Sequence, residues 1–277
     1  MKIALLQLTS GDQPAENLPS TLELVRKAAG QGASLILTPE VTNCVTLDRA
    51  HQQSVLQHQD DDITLKALRD EAKALGVWIS IGSLALKTHD PEGRFANRSF
   101  MIDPMGEVVA TYDKIHMFDV AVNETETYRE SDGYRPGGTA VTVDMPVIKV
   151  GMTICYDVRF PHLYRKLAHS GAGLMLVPAA FSPVTGAAHW ETLLRARAIE
   201  TGSFVFAAAQ TGNHPTSTGR HRTTHGHSLA VDPWGRVICD AGTQTGVSIV
   251  EIDPSEVSKV RSQIPALTHD RPFEDPE

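Results

Sequence analysis

The sequence predicts an α/β protein, a four-layer α-β-β-α sandwich assembled from two similar halves. Three observations point there: short apolar runs that stop at polar residues, helical apolar stripes between the runs, and repetition of the series in order. Residues 32–40 (Gly-Ala-Ser-Leu-Ile-Leu-Thr-Pro-Glu) are echoed by 171–179 (Gly-Ala-Gly-Leu-Met-Leu-Val-Pro-Ala). Residues 99–109, with Asp103-Pro-Met-Gly106 at their centre, are echoed by 228–238, with Asp232-Pro-Trp-Gly235. Residues 2–6 and 77–82 have fainter counterparts in 149–153 and 203–208. Each half therefore reads as strand, helix, strand, helix, strand and hairpin.

The helices carry their own period. Leu18, Leu22 and Val25 precede Gly30 and Gly32; Leu65, Leu68, Ala72 and Leu75 precede Gly76; Trp190, Leu193, Leu194 and Ala198 precede Gly202. Apolar spacings of three and four residues before a glycine mark an amphipathic helix and its end. The Asp-Pro-X-Gly segments suit hairpin turns, with proline at the second turn position and a glycine tolerant of positive φ. Each half exposes one bare sheet face, and the two faces can bury each other. No linker separates the halves, so residues 1–277 read as one domain.

Composition narrows the function. The formal net charge is −8, and no Lys/Arg block appears, which argues against nucleic acid and anionic membrane as partners. No apolar run approaches a membrane span. Residues 1–8 carry one charge, a short apolar stretch and no small-residue cleavage site, so they read as a first strand rather than a signal peptide. Cys44, Cys155 and Cys239 are odd in number and widely spaced, which points to free thiols and a cytoplasmic setting.

Three reactive side chains stand at the ends of apolar runs: Glu40, Lys114 and Cys155. In open α/β sheets, ligands bind beyond the carboxyl ends of strands, so a shared site is one reading. The plain alternatives are a buried apolar cysteine, a glutamate aiding a helix start and a solvated loop lysine. The repeat leans toward chemistry, because Pro39-Glu40 in the first half corresponds to Pro178-Ala179 in the second. The scaffold position is kept there and the carboxylate is not.

These segments resemble the Glu-Lys-Cys signatures of the nitrilase superfamily of carbon–nitrogen hydrolases. The likeness runs from the first strand to Pro265, through Pro39-Glu40, Tyr112-Asp-Lys114-Ile-His116, residues 151–161, residues 189–200 and residues 226–235. The resemblance implies the nitrilase-like sandwich and a thioester mechanism without metal or organic cofactor. Cys155 would be the nucleophile, Glu40 the general base, and Lys114 the cation that lowers the thiol pKa and holds the oxyanion together with the Tyr156 N–H. Glu130 would be the family's second glutamate, with Glu124 and Glu126 close by in sequence. The reaction would convert a small-molecule amide and water to a carboxylate and ammonia.

Tyr156-Asp157 stands where true nitrilases have Trp-Glu, which implies an amidase. Cys-Tyr-Asp-Val-Arg-Phe at 155–160 resembles the branch acting on ω-amides of keto acids and on deaminated glutathione. By that resemblance Arg159 would pair with a substrate carboxylate, while Phe181 and Thr185 would line the pocket. A structural arginine, paired with Asp157 or a helix end, is the competing reading of Arg159. Residues 207–212 and 188–190 look closer to the deaminated-glutathione enzymes, but the segment 213–225 is longer and more basic than in that group. Other aliphatic amidases and N-carbamoyl hydrolases of the superfamily remain alternatives. A metal hydrolase built on His214, His221, His225 and His227 and an inactive binding module rank lower, because no helical pattern supports the histidines and the triad is intact. Family analogy implies a homodimer joined through residues 160–170 and 260–273.

Overall fold

A computed structural model describes residues 1–122, 127–219 and 221–274. The first half supplies β1 (Lys2–Gln7), α1 (Pro14–Gly30), β2 (Leu35–Leu37), α2 (Arg49–Val55), α3 (Ile63–Leu75), β3 (Trp78–Leu86), β4 (Ala96–Ile102) and β5 (Val108–Asp113). A short hairpin of β6 (Asp119–Ala121) and β7 (Thr127–Arg129) follows. The second half runs through β8 (Val141–Asp144), β9 (Lys149–Met152), α4 (Pro161–His169), β10 (Leu174–Leu176), α5 (Pro183–Thr201) and β11 (Phe204–Ala207). It continues with the small hairpin β12 (Thr211–Asn213) and β13 (Thr223–His225), then β14 (Leu229–Val231), β15 (Val237–Asp240), β16 (Gly246–Glu251) and α6 (Ser255–Gln263).

Two six-stranded sheets form the centre, ordered β16-β1-β2-β3-β4-β5 and β15-β14-β11-β10-β9-β8. Strand periodicity assigns the layers. Ile3, Leu5, Leu35 and Leu37 join Met152, Leu176 and Phe206 in one core, while Ala4, Leu6 and Ile36 pack with α1 and α3 through Val25, Ala28, Leu65 and Leu68. The first sheet is therefore covered by helices on one face and the second sheet on the other. Fully burying each of these aliphatic side chains contributes about 1.5–3 kcal/mol. The expected α-β-β-α sandwich is present.

The expected half-by-half topology needs a correction. Each half ends not at its hairpin but in one more strand, and that strand joins the opposite sheet. β8 follows the first half and pairs antiparallel with β9, Val141 facing Met152. β16 follows the second half and pairs antiparallel with β1, Lys2 facing Glu251. The halves thus exchange terminal strands. The repeat was silent on this because both are edge strands with largely half-exposed residues and weak apolar character.

The duplication reaches single hydrogen bonds. In one hairpin Asp103 Oδ1 accepts the Met105 and Glu107 N–H groups at 2.9 Å, and in the other Asp232 Oδ1 accepts those of Trp234 and Arg236 at 2.9 Å. Arg69 Nε donates to the Gly106 carbonyl at 2.8 Å, as Arg195 Nε does to that of Gly235 at 2.8 Å. Both glycines are left-handed, with φ of 80° and 85°. Gly76 (φ 65°) and Gly202 (φ 56°) end α3 and α5 as the sequence predicts. Among the described residues no helix is long and apolar enough to cross a membrane.

Candidate active site

The parallel strands β2 and β9 and the antiparallel strand β5 end at one place. Glu40 follows β2 after Thr38 and Pro39, Lys114 follows β5 directly, and Cys155 follows β9 after Thr153 and Ile154. The loop after β2 is bound tightly to β3: Thr38 Oγ1 accepts the Gly82 N–H at 3.1 Å, and Ser83 Oγ accepts the Val41 N–H at 2.8 Å. Gly82 is required by this approach. A Cβ there would lie 2.0 Å from the Thr38 carbonyl oxygen and 2.5 Å from Pro178 Cβ, where the two pseudo-equivalent loops meet.

Lys114 lies between two carboxylates and is buried. Its Nζ donates to Glu40 Oε1 at 2.9 Å and to both oxygens of Glu130, at 3.0 and 2.8 Å. Asn97 Nδ2 donates to the same pair, at 2.9 Å to Glu40 and 3.3 Å to Glu130. Backbone donors complete the set. The Ala180 N–H reaches Glu40 Oε2 at 2.8 Å, and the Phe118 N–H reaches Glu130 Oε2 at 2.6 Å. Glu40, Lys114, Glu130 and Cys155 are thus brought together, all lining one cavity. Glu124 and Glu126, the sequence rivals of Glu130, lie outside the described residues.

Cys155 has a left-handed backbone, φ 47°, at the start of the 3-10 turn Cys155–Arg159. A non-glycine residue there costs about 1–3 kcal/mol, and the surroundings hold it. The Cys155 N–H donates to the Pro178 carbonyl at 2.9 Å. Asp157, fully buried, does the rest. Its Oδ2 accepts the Ile154 N–H at 2.9 Å and the Tyr112 hydroxyl at 2.6 Å, and its Oδ1 accepts His116 N at 3.0 Å and His116 Nδ1 at 2.7 Å. Tyr112 and His116 stand two residues either side of Lys114. One carboxylate therefore ties the nucleophile's turn to the lysine's strand, a role the sequence did not disclose.

Charge settles which protonation states the cluster holds. Burial pushes the Glu40 carboxyl up, but the Lys114 charge and hydrogen bond, with help from Arg222 and Cys155, leave it below its ordinary value. Burial opposes the Lys114 ammonium, yet Glu130 and Glu40 hold it well above its ordinary value. For Cys155, burial and the neighbouring Glu40 charge outweigh Lys114, and the thiol is raised well above normal. The lysine lowers the thiol pKa as expected, but burial and Glu40 outweigh it, so the resting nucleophile is a neutral thiol beside an ionised base.

A cavity of about 330 Å³ adjoins the cluster. Tyr156, Phe181 and Thr185 line it as expected, and Thr185 Oγ1 is buried without a hydrogen-bond partner among the described residues. Arg159 does not line it. Its guanidinium stands 5.8 Å from the Tyr156 ring and 5.5 Å from Phe181, with Nη2 3.3 Å from His189 Nδ1. Asp157, its competing partner, is taken up by other groups, and Arg159 stands against two pocket rings. The sequence reading also missed Asn97, Arg49 and Arg222 in the lining. Arg222 belongs to the basic segment 213–225, the one signal that pointed its way; its Nη2 donates to the Ala180 carbonyl at 2.9 Å.

Three of the four histidines have partners in the structure. Buried His214 uses both ring nitrogens, Nδ1 with the Ser10 carbonyl at 2.7 Å and Nε2 with Thr224 Oγ1 at 2.8 Å. Burial lowers its pKa to about 4, so it is neutral near pH 7. His225 and His227 stack at 4.7 Å, with His227 Nδ1 3.0 Å from Asp240. Among the described residues no three His, Cys, Asp or Glu side chains gather to hold a metal ion.

The family model described as "Carbon-nitrogen hydrolase" matches residues 2–262. The chain belongs to the carbon-nitrogen hydrolase family. It is 41% identical to the deaminated glutathione amidase of Yersinia enterocolitica, over 97% of this chain and 92% of that protein. Among solved structures it is similar to the C. elegans NitFhit protein, at 34% identity and a TM-score of 0.88, covering 98% of this chain and 65% of that longer one. A mutant amidase from Nesterenkonia sp. AN1 is 25% identical, with a TM-score of 0.79 over 98% of this chain and 94% of its own; it carries the acetamide moiety of fluoroacetamide added covalently at its active site cysteine. This carbon-nitrogen hydrolase is accordingly a cysteine-dependent amidase.

Asp157→Ala should leave the Ile154 and His116 N–H groups and the Tyr112 hydroxyl unpaired, lowering stability by about 3 kcal/mol or more in denaturant titrations. Among variants that still fold, it should also slow alkylation of Cys155 by iodoacetamide; wild-type stability and labelling together would refute the clamp. The ion pair gives a pH signature. Folded Glu40 titrates below its ordinary 4.5, so the stability it contributes is complete above that pH and drains as pH falls through the folded value. Folded Lys114 titrates above its ordinary 10.5, so its contribution is complete below that pH and is lost as pH rises through the folded value. Between about pH 7 and pH 3 the stability gap separating wild type from Glu40→Gln should narrow. A constant gap would contradict an ionised, salt-bridged Glu40.

Proposed function

We propose that this amidase hydrolyses the amide of a small carboxylate-bearing acyl group through a Cys155 thioester, with deaminated glutathione as the substrate to test first. The buried contact of Lys114 with both Glu40 and Glu130, in the cavity that Cys155 also lines, carries the mechanism. The 41% identity to a deaminated glutathione amidase supports the substrate.

Glu40 takes the thiol proton as Sγ attacks the amide carbonyl, so sulfur gains its charge only as the bond forms. Lys114 Nζ and the Tyr156 N–H, at the open first turn of the 3-10 segment, receive the oxyanion. Glu40 then gives its proton to the leaving nitrogen, and the thioester remains. Glu40 next draws a proton from water, which attacks the thioester; the C–S bond breaks, the carboxylic acid leaves, and Glu40 returns its proton to the Cys155 sulfur. Glu130 keeps Lys114 charged and in place throughout. Tyr156 and Phe181 form the wall beside the acyl chain, Arg159 braces them, and Thr185 offers a hydroxyl to a substrate oxygen. The leaving group depends on the amide: a primary ω-amide gives ammonia, but glutathione holds its acyl group on a peptide nitrogen, so the deaminated form releases the dipeptide amine.

The three cysteines are free thiols, in keeping with a reducing, cytoplasmic setting. A homodimer is supported by the surface around α4 and the C-terminal segment. Ile199, Trp234, Ile264 and Phe273 are exposed there, and Asp270 fastens the tail to α4 through Arg165 and His169.

Cys155→Ala should abolish release of the 2-oxo acid from deaminated glutathione, and Glu40→Gln should reduce kcat by about 10²–10⁴-fold. Wild-type turnover by Cys155→Ala would end the nucleophile assignment. Light scattering should find twice the 30.1 kDa chain mass, and a purely monomeric protein would refute the dimer.

A further inference from the structure

The basic segment between β12 and β13 delivers a cation to the catalytic cavity, and the reaction steps above give it no task. Arg222 lines that cavity, and its Nη2 donates to the Ala180 carbonyl at 2.9 Å. The N–H of the same Ala180 donates to Glu40 Oε2 at 2.8 Å. Lys114 and Asn97 hold the other carboxylate oxygen, Oε1, each at 2.9 Å. A single backbone residue therefore joins Arg222 to the Glu40 oxygen that the lysine does not hold.

The segment is anchored, so the guanidinium has a fixed position. Buried Asp12 accepts three hydrogen bonds at Oδ2, from the Ser217 N–H at 2.6 Å, Ser217 Oγ at 2.9 Å and Thr216 Oγ1 at 3.2 Å. The His214 N–H donates to the Arg222 carbonyl at 2.9 Å, and both His214 ring nitrogens are themselves engaged. Gly11 packs closely here: a Cβ on it would lie 3.1 Å from the Pro215 carbonyl oxygen. Anchoring of this kind removes much of the entropy that a lone surface arginine would lose in making the Ala180 contact.

Charge gives the contact a consequence. Lys114, Glu130 and Cys155 face Glu40 from the chain after β5, β7 and β9, and Arg222 faces it from the start of β13. Glu130 takes hydrogen bonds from the Lys114 ammonium on both of its oxygens, so Glu40 shares that cation with a second carboxylate. The Arg222 charge adds to that of Lys114 in holding the Glu40 carboxyl below its ordinary value. The cavity's other charges, Arg49, Arg129 and Asp132, come from α2, β7 and the turn after it, and they stay constant when only residue 222 is changed.

We propose that Arg222 is a positioning residue for the general base, fixing Glu40 through Ala180 and adding a second positive charge to the one Lys114 provides. The assignment rests on Glu40 acting as the base, as proposed above.

The test is the pH dependence of Cys155 alkylation by iodoacetamide, a neutral reagent, read at the Cys155 peptide by mass spectrometry. Wild type, Arg222→Gln and Arg222→Lys are compared, with the folded fraction followed by tryptophan fluorescence in each sample. Relative to its own rate at pH 7, Arg222→Gln should lose about 2- to 5-fold more than wild type near pH 4, because its base protonates earlier. Arg222→Lys keeps the charge and a donor and should follow wild type. Should the glutamine variant fail to fold, Arg222→Met, uncharged and unbranched, reads the same ratio. A wild-type acid profile without the arginine, or an equal shift in Arg222→Lys, overturns the assignment. So does a loss of rate in equal proportion at both pH values, the mark of a merely structural arginine. A higher KM for deaminated glutathione with an unchanged alkylation profile would make Arg222 a substrate contact and overturn it as well. Glu40→Gln separates the two readings. Wild-type alkylation and pH dependence in that variant would remove Glu40 as the base, and the role of Arg222 with it. Loss of the acid limb in Glu40→Gln alone, with Arg222→Gln like wild type, would overturn only the Arg222 assignment.

Discussion

The buried ammonium of Lys114 is the interaction on which the rest of the site depends. Burying a lone ion costs several kcal/mol, and removing one member of a buried pair typically costs about 3–5 kcal/mol. Lys114 escapes that cost only because Glu40 and Glu130 reach it from two different loops and Asn97 and two backbone N–H groups take up the remaining carboxylate lone pairs. Burial and the Glu40 charge keep the Cys155 thiol neutral, so charge separation is deferred until a substrate carbonyl can accept it.

Holding these groups in register is a task for the scaffold. Two halves that exchange their terminal strands cannot separate without breaking β1–β16 and β8–β9 pairing together. Within that frame the meeting of pseudo-equivalent loops at Gly82 and Pro178 brings Glu40 under the Ala180 N–H. Duplication gave two such loops, and only the first retains a carboxylate. Asp157 then links the strained Cys155 turn to the Lys114 strand, so the nucleophile and its oxyanion partner move as one unit.

One wall of the cavity comes from outside the repeated core. Arg49 and Tyr134 come from α2 and from the segment after β7. Arg222 comes from the segment joining β12 to β13. These connections differ most between relatives in general, because surface loops tolerate change that packed strands do not.

Much was legible in the sequence alone. The two-fold repeat, the helix stripes and the turns are local patterns, and local patterns follow from backbone sterics and apolar periodicity. Glu40, Lys114 and Cys155 were legible for the same reason, since each ends a recognisable strand, and Glu130 was legible through motif likeness. Tertiary structure alone decided the rest. The strand exchange was hidden because edge pairing needs little apolar signal, and the Asp157 clamp because its partners lie 41 and 45 residues away. The thiol's net pKa lies above normal because burial, which no motif encodes, and the Glu40 charge outweigh the lysine. The surroundings of Arg159 were hidden for a related reason: a guanidinium's partner depends on which loops meet around it, and that is a property of the folded chain.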